Sequence, residues 1–149
     1  MPTITGSHHI ALTVSDAERS AAWYGELFGL QPLARGGDDQ VSFIVLVHPP
    51  SGLLLGVRQY LAQPHDAFDE FRTGLDHLAF GVATRAELDA WVPELTRRGI
   101  AFSPVTDTLQ GSVIVLRDPD GIQLELWLDA PAPPAADPAA DPAADPARA

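Results

Sequence analysis

Two histidines and one glutamate occupy positions from which they could bind a divalent metal ion together. His9 opens the segment HIALTV, His77 opens the similar segment HLAFGV 68 positions later, and Glu125 lies in the segment IQLELW. Two imidazole nitrogens and one carboxylate suit Fe(II), Mn(II), Zn(II) or Ni(II). Three protein ligands also leave coordination positions open for a substrate or dioxygen.

The composition excludes several other kinds of chemistry. The chain of 149 residues has no Cys, and all nine of its basic residues are Arg. Thiolate metal sites, disulfides, thiol nucleophiles and Schiff bases are therefore excluded. The net charge of −11 disfavours nucleic acid and anionic membranes as partners. No apolar stretch approaches the roughly 18 residues of a membrane helix and no leader pattern is present, so we expect a soluble cytoplasmic protein that binds a small molecule.

An internal repeat positions the candidate ligands. HIALTV aligns with HLAFGV, and at the same offset Trp23 aligns with Trp91. Each copy has the pattern of a strand, a helix and three further strands, and one such unit exposes a sheet face that must be buried by combination with another. We predict an α+β domain over residues 1–129, made of modules 5–60 and 74–129. The repeated AADP sequence of residues 130–149 predicts a disordered tail.

Local signals predict where the helices and strands begin and end. Asp16 is a candidate N-cap for a helix that ends on Gly29, and Thr84 begins a second helix that ends on Gly99. Glu87, three residues after Thr84, predicts a capping box. The remaining strands are predicted at residues 31–35, 41–47, 53–60, 102–105, 112–117 and 122–128.

Strand alternation separates a core face from a face that carries the chemistry. Large apolar residues such as Leu12 and Leu124 alternate with small or polar ones, so the second face is lined by small residues together with the three candidate ligands. Small side chains on a sheet face leave space for a ligand cleft. Counted from the matched turn glycines, the counterpart of Glu125 in the first module is Gly56, which would keep a fourth metal position open.

Further side chains are candidates for substrate binding or proton transfer. Arg58 shares the strand face of Gly56 and could bind a carboxylate or an enolate oxygen. Gln123 and Trp127 share the face of Glu125, and Trp127 could stack on an aromatic ligand. Tyr60 and His65, at the start of the segment between the modules, are candidate acid–base groups.

The combined motifs resemble the vicinal oxygen chelate superfamily, which includes glyoxalase I, fosfomycin-resistance transferases, extradiol dioxygenases and bleomycin-resistance proteins. The resemblance is carried by HIALTVSD, AWYGELFGL, GLDHLAFGV and DPDGIQLELW, and it spans about residues 7–128. It implies a curved, mixed eight-stranded sheet forming a half-barrel cleft, with helices on the outer face and often a homodimer. It also implies that His9, His77 and Glu125 are the metal ligands.

Two functions follow as hypotheses. In the first, the protein is a metal-dependent enzyme that chelates vicinal oxygens, with Fe(II) favoured and dioxygenase-like chemistry ahead of lyase or isomerase chemistry. Gly56 replaces the fourth carboxylate ligand of glyoxalase-type enzymes, and the absence of Lys disfavours a phosphonate substrate. In the second, the protein resembles bleomycin-resistance proteins and sequesters a natural product in the same cleft without metal.

Overall fold

A computed structural model describes residues 2–62 and 66–131, which form two βαβββ modules. The first module contains β1 (Ile10–Thr13), α1 (Ala17–Phe28), β2 (Gln31–Gly37), β3 (Val41–His48) and β4 (Leu53–Tyr60). The second contains β5 (Leu78–Gly81), α2 (Arg85–Arg98), β6 (Thr106–Asp107), β7 (Gly111–Arg117) and β8 (Gln123–Asp129). The predicted class and two-module organisation are confirmed.

The eight strands are divided between two four-stranded sheets of the same topology. Their orders are β1-β4-β3-β2 and β5-β8-β7-β6. The first strand of each module pairs in parallel with the last strand, and the other ladders are antiparallel. Within the described part of the chain β1 and β5 are therefore edge strands, and no ladder joins the two sheets into one.

Both helices begin and end where the local signals predict. The Asp16 side chain accepts a hydrogen bond from the backbone N–H of Arg19, and Thr84 and Glu87 form the complete capping box. Gly29 and Gly99 end the helices with φ of 73° and 67°, a left-handed conformation that glycine adopts without steric cost. The short-range pattern therefore determines the limits of both helices.

One strand differs from the prediction. Residues 102–105 do not form a strand; Phe102 makes an isolated bridge to Leu116, and β6 covers only two residues further on. Pro104 has no backbone N–H to donate to a ladder. The hydroxyl of Ser103 instead accepts a hydrogen bond from the Val115 N–H at 2.9 Å, so a side chain replaces regular pairing there.

The two modules share one core and are joined by the turn that precedes β8. The Phe28 ring of α1 stacks on Phe80 of β5 with centroids 4.5 Å apart. Tyr24 of α1 donates its hydroxyl hydrogen to Asp118 at 3.0 Å, and Asp120 accepts hydrogen bonds from the N–H and hydroxyl groups of Ser15. Each module thus orients the other through buried contacts.

The described residues contain no helix that is long and apolar enough to cross a membrane. Residues 132–149, which include most of the predicted disordered tail, lie outside the described part of the chain.

Candidate functional site

The predicted division of the sheets into two faces is confirmed. On the core side Leu12, Leu124 and Leu126 are almost fully buried, whereas Ala11 and Ala79 on the opposite side are exposed. The register pairs Ala11 with Gly56 in the first sheet and Ala79 with Glu125 in the second. Gly56 therefore occupies the position equivalent to Glu125, and each sheet has an open face built around small side chains.

His77 and Glu125 lie together on the open face of the second sheet. The Nε2 atom of His77 is 3.5 Å from Oε2 of Glu125. The side chain of His77 is 39% exposed and that of Glu125 is 15% exposed, so the pair is accessible from solvent while the carboxylate is mostly enclosed. On its other side the ring bonds to Asp76, with Nδ1 2.6 Å from Oδ1.

The chemistry of this pair fits a bound cation. With Nδ1 of His77 directed at the Asp76 carboxylate, Nε2 is the ring atom that faces Glu125, and it can bind a cation through its lone pair when the imidazole is neutral. The 3.5 Å separation of Nε2 and Oε2 fits either a proton carried by the imidazole or a metal cation bound by both atoms. A carboxylate on the far nitrogen is also a common partner of metal-binding histidines, because it orients the ring and increases its basicity.

His9 lies apart from this pair within the chain. It is exposed, directly precedes the edge strand β1, and has its Nδ1 atom 2.9 Å from that of the neighbouring His8. Among the described residues no three His, Cys, Asp or Glu side chains are close enough to hold one metal ion. One chain thus brings together two of the three predicted ligands.

The predicted substrate-binding residues lie on the open faces. The Arg58 guanidinium is 5.3 Å from the centroid of the Phe43 ring, its cross-strand neighbour. Trp127 is half-buried, and its indole N–H donates to Asp129. Gln123 accepts a hydrogen bond from Arg117 at 3.3 Å.

The structure describes Tyr60, one of the two predicted acid–base residues. Tyr60 is exposed at the end of β4 and lines a cavity of about 350 Å³ together with Asp66, Phe68 and Asp120. His65 lies outside the described residues. No hydrogen bond in the described part of the chain connects Tyr60 with His77 or Glu125.

Two charged residues near the site, Asp76 and Glu70, were missed by the sequence-based prediction. Asp76 was recognisable, because it directly precedes a candidate ligand. Glu70 and Arg117 form a two-pronged ion pair on the same side of the second sheet, with their closest atoms 2.5 Å apart. The hydrogen bond from Arg117 lowers the pKa of Glu70 to about 2. No local signal connects these two residues, which are 47 positions apart.

A second cavity, of about 360 Å³, lies between the modules. It is mostly apolar, and its lining includes Phe28, Phe80 and Trp91 as well as His48, whose Nδ1 is 2.7 Å from the Ser51 hydroxyl oxygen. His77 and Glu125 are not part of this lining. The cavity does reach Ala79, the register partner of Glu125, so it borders the strand position next to this glutamate.

Comparison with known proteins gives consistent matches over most of the chain. The model of the Glyoxalase/Bleomycin resistance protein/Dioxygenase superfamily matches residues 6–126. The uncharacterized protein YwkD of Bacillus subtilis is 32% identical over 123 residues, which cover 80% of this chain and 94% of that protein. Catechol-2,3-dioxygenase of Bacillus subtilis is 28% identical over 141 residues, which cover 88% of this chain but 45% of the dioxygenase.

A solved structure agrees with the same assignment. The crystal structure of a glyoxylase/bleomycin resistance protein/dioxygenase domain from Frankia sp. EAN1pec superimposes with a TM-score of 0.79 at 38% sequence identity. The match covers 86% of this chain and 100% of the Frankia chain.

Proposed function

Because the chain belongs to the Glyoxalase/Bleomycin resistance protein/Dioxygenase superfamily, we propose that it is a metal-dependent enzyme acting on a small molecule with two adjacent oxygen atoms. The proposed ligands are His77, Glu125 and His9. The observation that carries the proposal is the approach of His77 and Glu125 on an open sheet face, with Asp76 holding the far nitrogen of the histidine. The reaction class that we propose is dioxygenation, and Fe(II) is the favoured metal, with Mn, Zn or Ni as alternatives.

We propose further that two copies of the chain complete each site. The strands β1 and β5 are both edge strands, and an unpaired edge is a ready surface for another strand. His9 directly precedes β1 and His77 directly precedes β5. Pairing of β1 with the β5 strand of a second copy would bring His9 to the pair formed by His77 and Glu125. A two-fold dimer repeats this contact, so it contains two equivalent sites.

The proposed metal would act as a Lewis acid that binds and polarises the two substrate oxygens. The protein contributes an open position, because Gly56 stands where a fourth ligand side chain would otherwise reach the site. Asp76 fixes which nitrogen of His77 is available. These residues therefore determine the orientation of the ligands and the space that remains for the substrate.

Other side chains on the open faces are proposed to orient the substrate. Arg58 would donate hydrogen bonds to an anionic oxygen, and its position over the Phe43 ring restricts its motion. Gln123 would donate through its amide nitrogen, since its oxygen already accepts from Arg117. Trp127 would provide an aromatic surface, and Tyr60, at the far end of β4, is the candidate for proton transfer.

A metal-free binding protein is the second candidate, favoured by the separation of His9 from the other two ligands in one chain. Metal analysis of protein purified without chelators distinguishes the two candidates. We expect one divalent ion per chain, and we expect His77→Ala and Glu125→Gln to lose it. His48→Ala is the matched control, because His48 is the last residue of β3 and lines the cavity between the modules, whose lining includes neither His77 nor Glu125. If the metal content is substoichiometric and His9→Ala leaves the binding of small molecules unchanged, the metal-free candidate is supported instead.

Mixing two defective variants tests whether the site is shared. We would unfold and refold His9→Ala together with Glu125→Gln, so that the chains reassort. Half of the dimers would then contain both variants, and each of these would have one intact site of two, which restores about a quarter of the wild-type metal content. A site formed within one chain would give no restoration. Oxygen consumption with catechol by the Fe(II)-loaded protein then tests the reaction class.

A further inference from the structure

Arg117 lies in the same row of the open sheet face as the candidate metal ligand His77. The antiparallel register pairs Arg117 with Gln123, and the parallel register that pairs Leu78 with Leu124 places His77 next to Gln123. The hydrogen bond from Arg117 to the Gln123 amide oxygen confirms that the guanidinium lies on this face. The positively charged guanidinium of Arg117 is therefore separated from His77 by one side chain, that of Gln123.

The guanidinium of Arg117 is held by the β7–β8 hairpin independently of its acidic partner. Nη1 donates to the backbone carbonyl of Gly121 at 2.8 Å, and Nη2 donates to Gln123 at 3.3 Å. Both terminal nitrogens also donate to Glu70, with Nη1 at 3.1 Å and Nη2 at 2.5 Å from its two carboxylate oxygens. Loss of Glu70 would thus leave a positioned guanidinium that binds carboxylates with two parallel hydrogen bonds.

Glu70 reaches Arg117 from the segment that joins the two modules. On one side of it Phe68 packs against the core and donates its N–H to the carbonyl of Asp120. On the other side Asp69 closes a turn by accepting from the Phe71 N–H at 3.0 Å. The side chains of Glu70 and Arg117 remain 24% and 44% exposed, so that a solute can reach the ion pair.

We propose that Arg117 recognises an anionic group of the substrate, of the carboxylate class, and that Glu70 occupies this position until the substrate displaces it. The inference rests on the proposed function, because it assigns the substrate class of that same site. A substrate bound through two adjacent oxygens beside His77 would extend along the row toward Arg117. The carboxylate of Glu70 therefore acts as an internal competitor for substrates that carry a negative charge.

The test compares two probes that differ in charge. Both 3,4-dihydroxybenzoate and 4-methylcatechol carry adjacent hydroxyl groups, but the first also carries a carboxylate. Binding is measured by calorimetry on the full chain, both loaded with redox-inert Zn(II) and metal-free. We expect Glu70→Gln to strengthen 3,4-dihydroxybenzoate binding about tenfold and Arg117→Gln to weaken it by about the same factor. Binding of 4-methylcatechol should change by less than about twofold in either variant.

Matched controls come from the outer surface of α2. Glu94 forms ion pairs with Arg97 and Arg98, so Glu94→Gln removes a comparable carboxylate away from the site. Arg85 pairs with Asp89 and Asp107, so Arg85→Gln is the corresponding control for the guanidinium. Neither control should change the affinity for either probe. Thermal unfolding of all four variants shows whether each one is folded.

The outcomes separate this inference from the proposed function. If the protein binds Zn(II) but Glu70→Gln changes the binding of both probes equally, or of neither, the inference is overturned and the proposed metal site is not. A carboxylate preference that depends on Arg117 in metal-free protein, without any Zn(II) binding, would support the inference and refute the metal site. Failure of both probes to bind any variant would overturn the inference, and the Zn(II) titration would still test the metal site.

Discussion

The strongest stability prediction concerns the buried hydrogen bond between Tyr24 and Asp118. The two residues are 0% and 6% exposed, and the hydroxyl donates to Oδ2 at 3.0 Å. The other carboxylate oxygen accepts from the backbone N–H groups of Asp120 and Ile122 at 2.9 and 2.8 Å. Tyr24→Phe removes only the hydroxyl, because the ring and its packing remain. The Oδ2 atom of Asp118 then loses the hydrogen bond that it accepts from Tyr24.

The expected cost follows from burial and charge. A hydrogen bond to a charged group contributes about 1.5–3 kcal/mol, and a buried acceptor that loses its donor cannot recover it from water. Since Oδ1 keeps both of its donors, we expect a loss of about 2 kcal/mol in the free energy of unfolding at neutral pH. For a chain of this size, that corresponds to a decrease in Tm of about 4–8 °C.

The pH dependence gives a second, independent signature. Burial raises the pKa of Asp118 above its ordinary value, and the hydrogen bond from Tyr24 opposes that shift. Because the pKa of Asp118 is higher in the folded state than in the unfolded state, its contribution to the free energy of unfolding is complete below the unfolded pKa. That contribution is lost as the pH rises through the folded pKa. Tyr24→Phe raises the folded pKa further, so its cost should be larger at pH 7 than near pH 4.

Urea denaturation at fixed protein concentration measures the effect, and Tyr60→Phe is the control because Tyr60 is exposed. We expect the control to change the free energy of unfolding by less than about 0.5 kcal/mol. If Tyr24→Phe also changes the free energy of unfolding by less than about 0.5 kcal/mol, Asp118 is not a buried, ionised acceptor of this hydrogen bond. The same loss of free energy at pH 4 and pH 7 would refute it as well.

Three further substitutions give separate tests. Asp76→Asn should weaken Zn(II) binding about 10–100-fold in calorimetry with little change in Tm, because Asp76 is exposed; unchanged affinity would contradict its role in orienting the histidine. Gly56→Glu should fold, since a Cβ there lies 3.5 Å from that of Ala11, and the added carboxylate should tighten Zn(II) binding while suppressing oxygen consumption. Gly111→Ala should lose about 2–4 kcal/mol in urea denaturation, because its Cβ would lie 2.1 Å from the Leu128 carbonyl oxygen; near-wild-type stability would show that the β7–β8 ladder can adjust.

Features that depend on neighbouring residues could be predicted from the sequence. The caps at Asp16 and Thr84 bond to backbone groups within three positions, so their residue types determine where the helices begin. The alternation around Leu124 predicts the buried and open faces correctly, since successive strand residues point to opposite sides. The sixth strand was misplaced because Pro104 and the hydroxyl of Ser103 change the pairing with a distant strand.

Polar and charged contacts between residues far apart in the chain could not be predicted from the sequence. Glu70 and Arg117 meet only because Phe68 docks on the core and directs the connecting segment across the second sheet. The contacts of Tyr24 with Asp118 and of Ser15 with Asp120 likewise require both modules to be in place. None of these pairs has a spacing that a helix or hairpin would reveal.

The sequence by itself determined the two-module repeat, the limits of both helices and the open strand face on which Glu125 lies, because these depend on local pattern. Only the tertiary structure decided that His77 approaches Glu125 while His9 stands apart at the edge strand β1. The physical reason is that β5 and β8 are neighbours in one sheet, whereas β1 belongs to the other sheet. Alternation determines the direction of a side chain, but the packing of the sheets determines its distance from the next ligand.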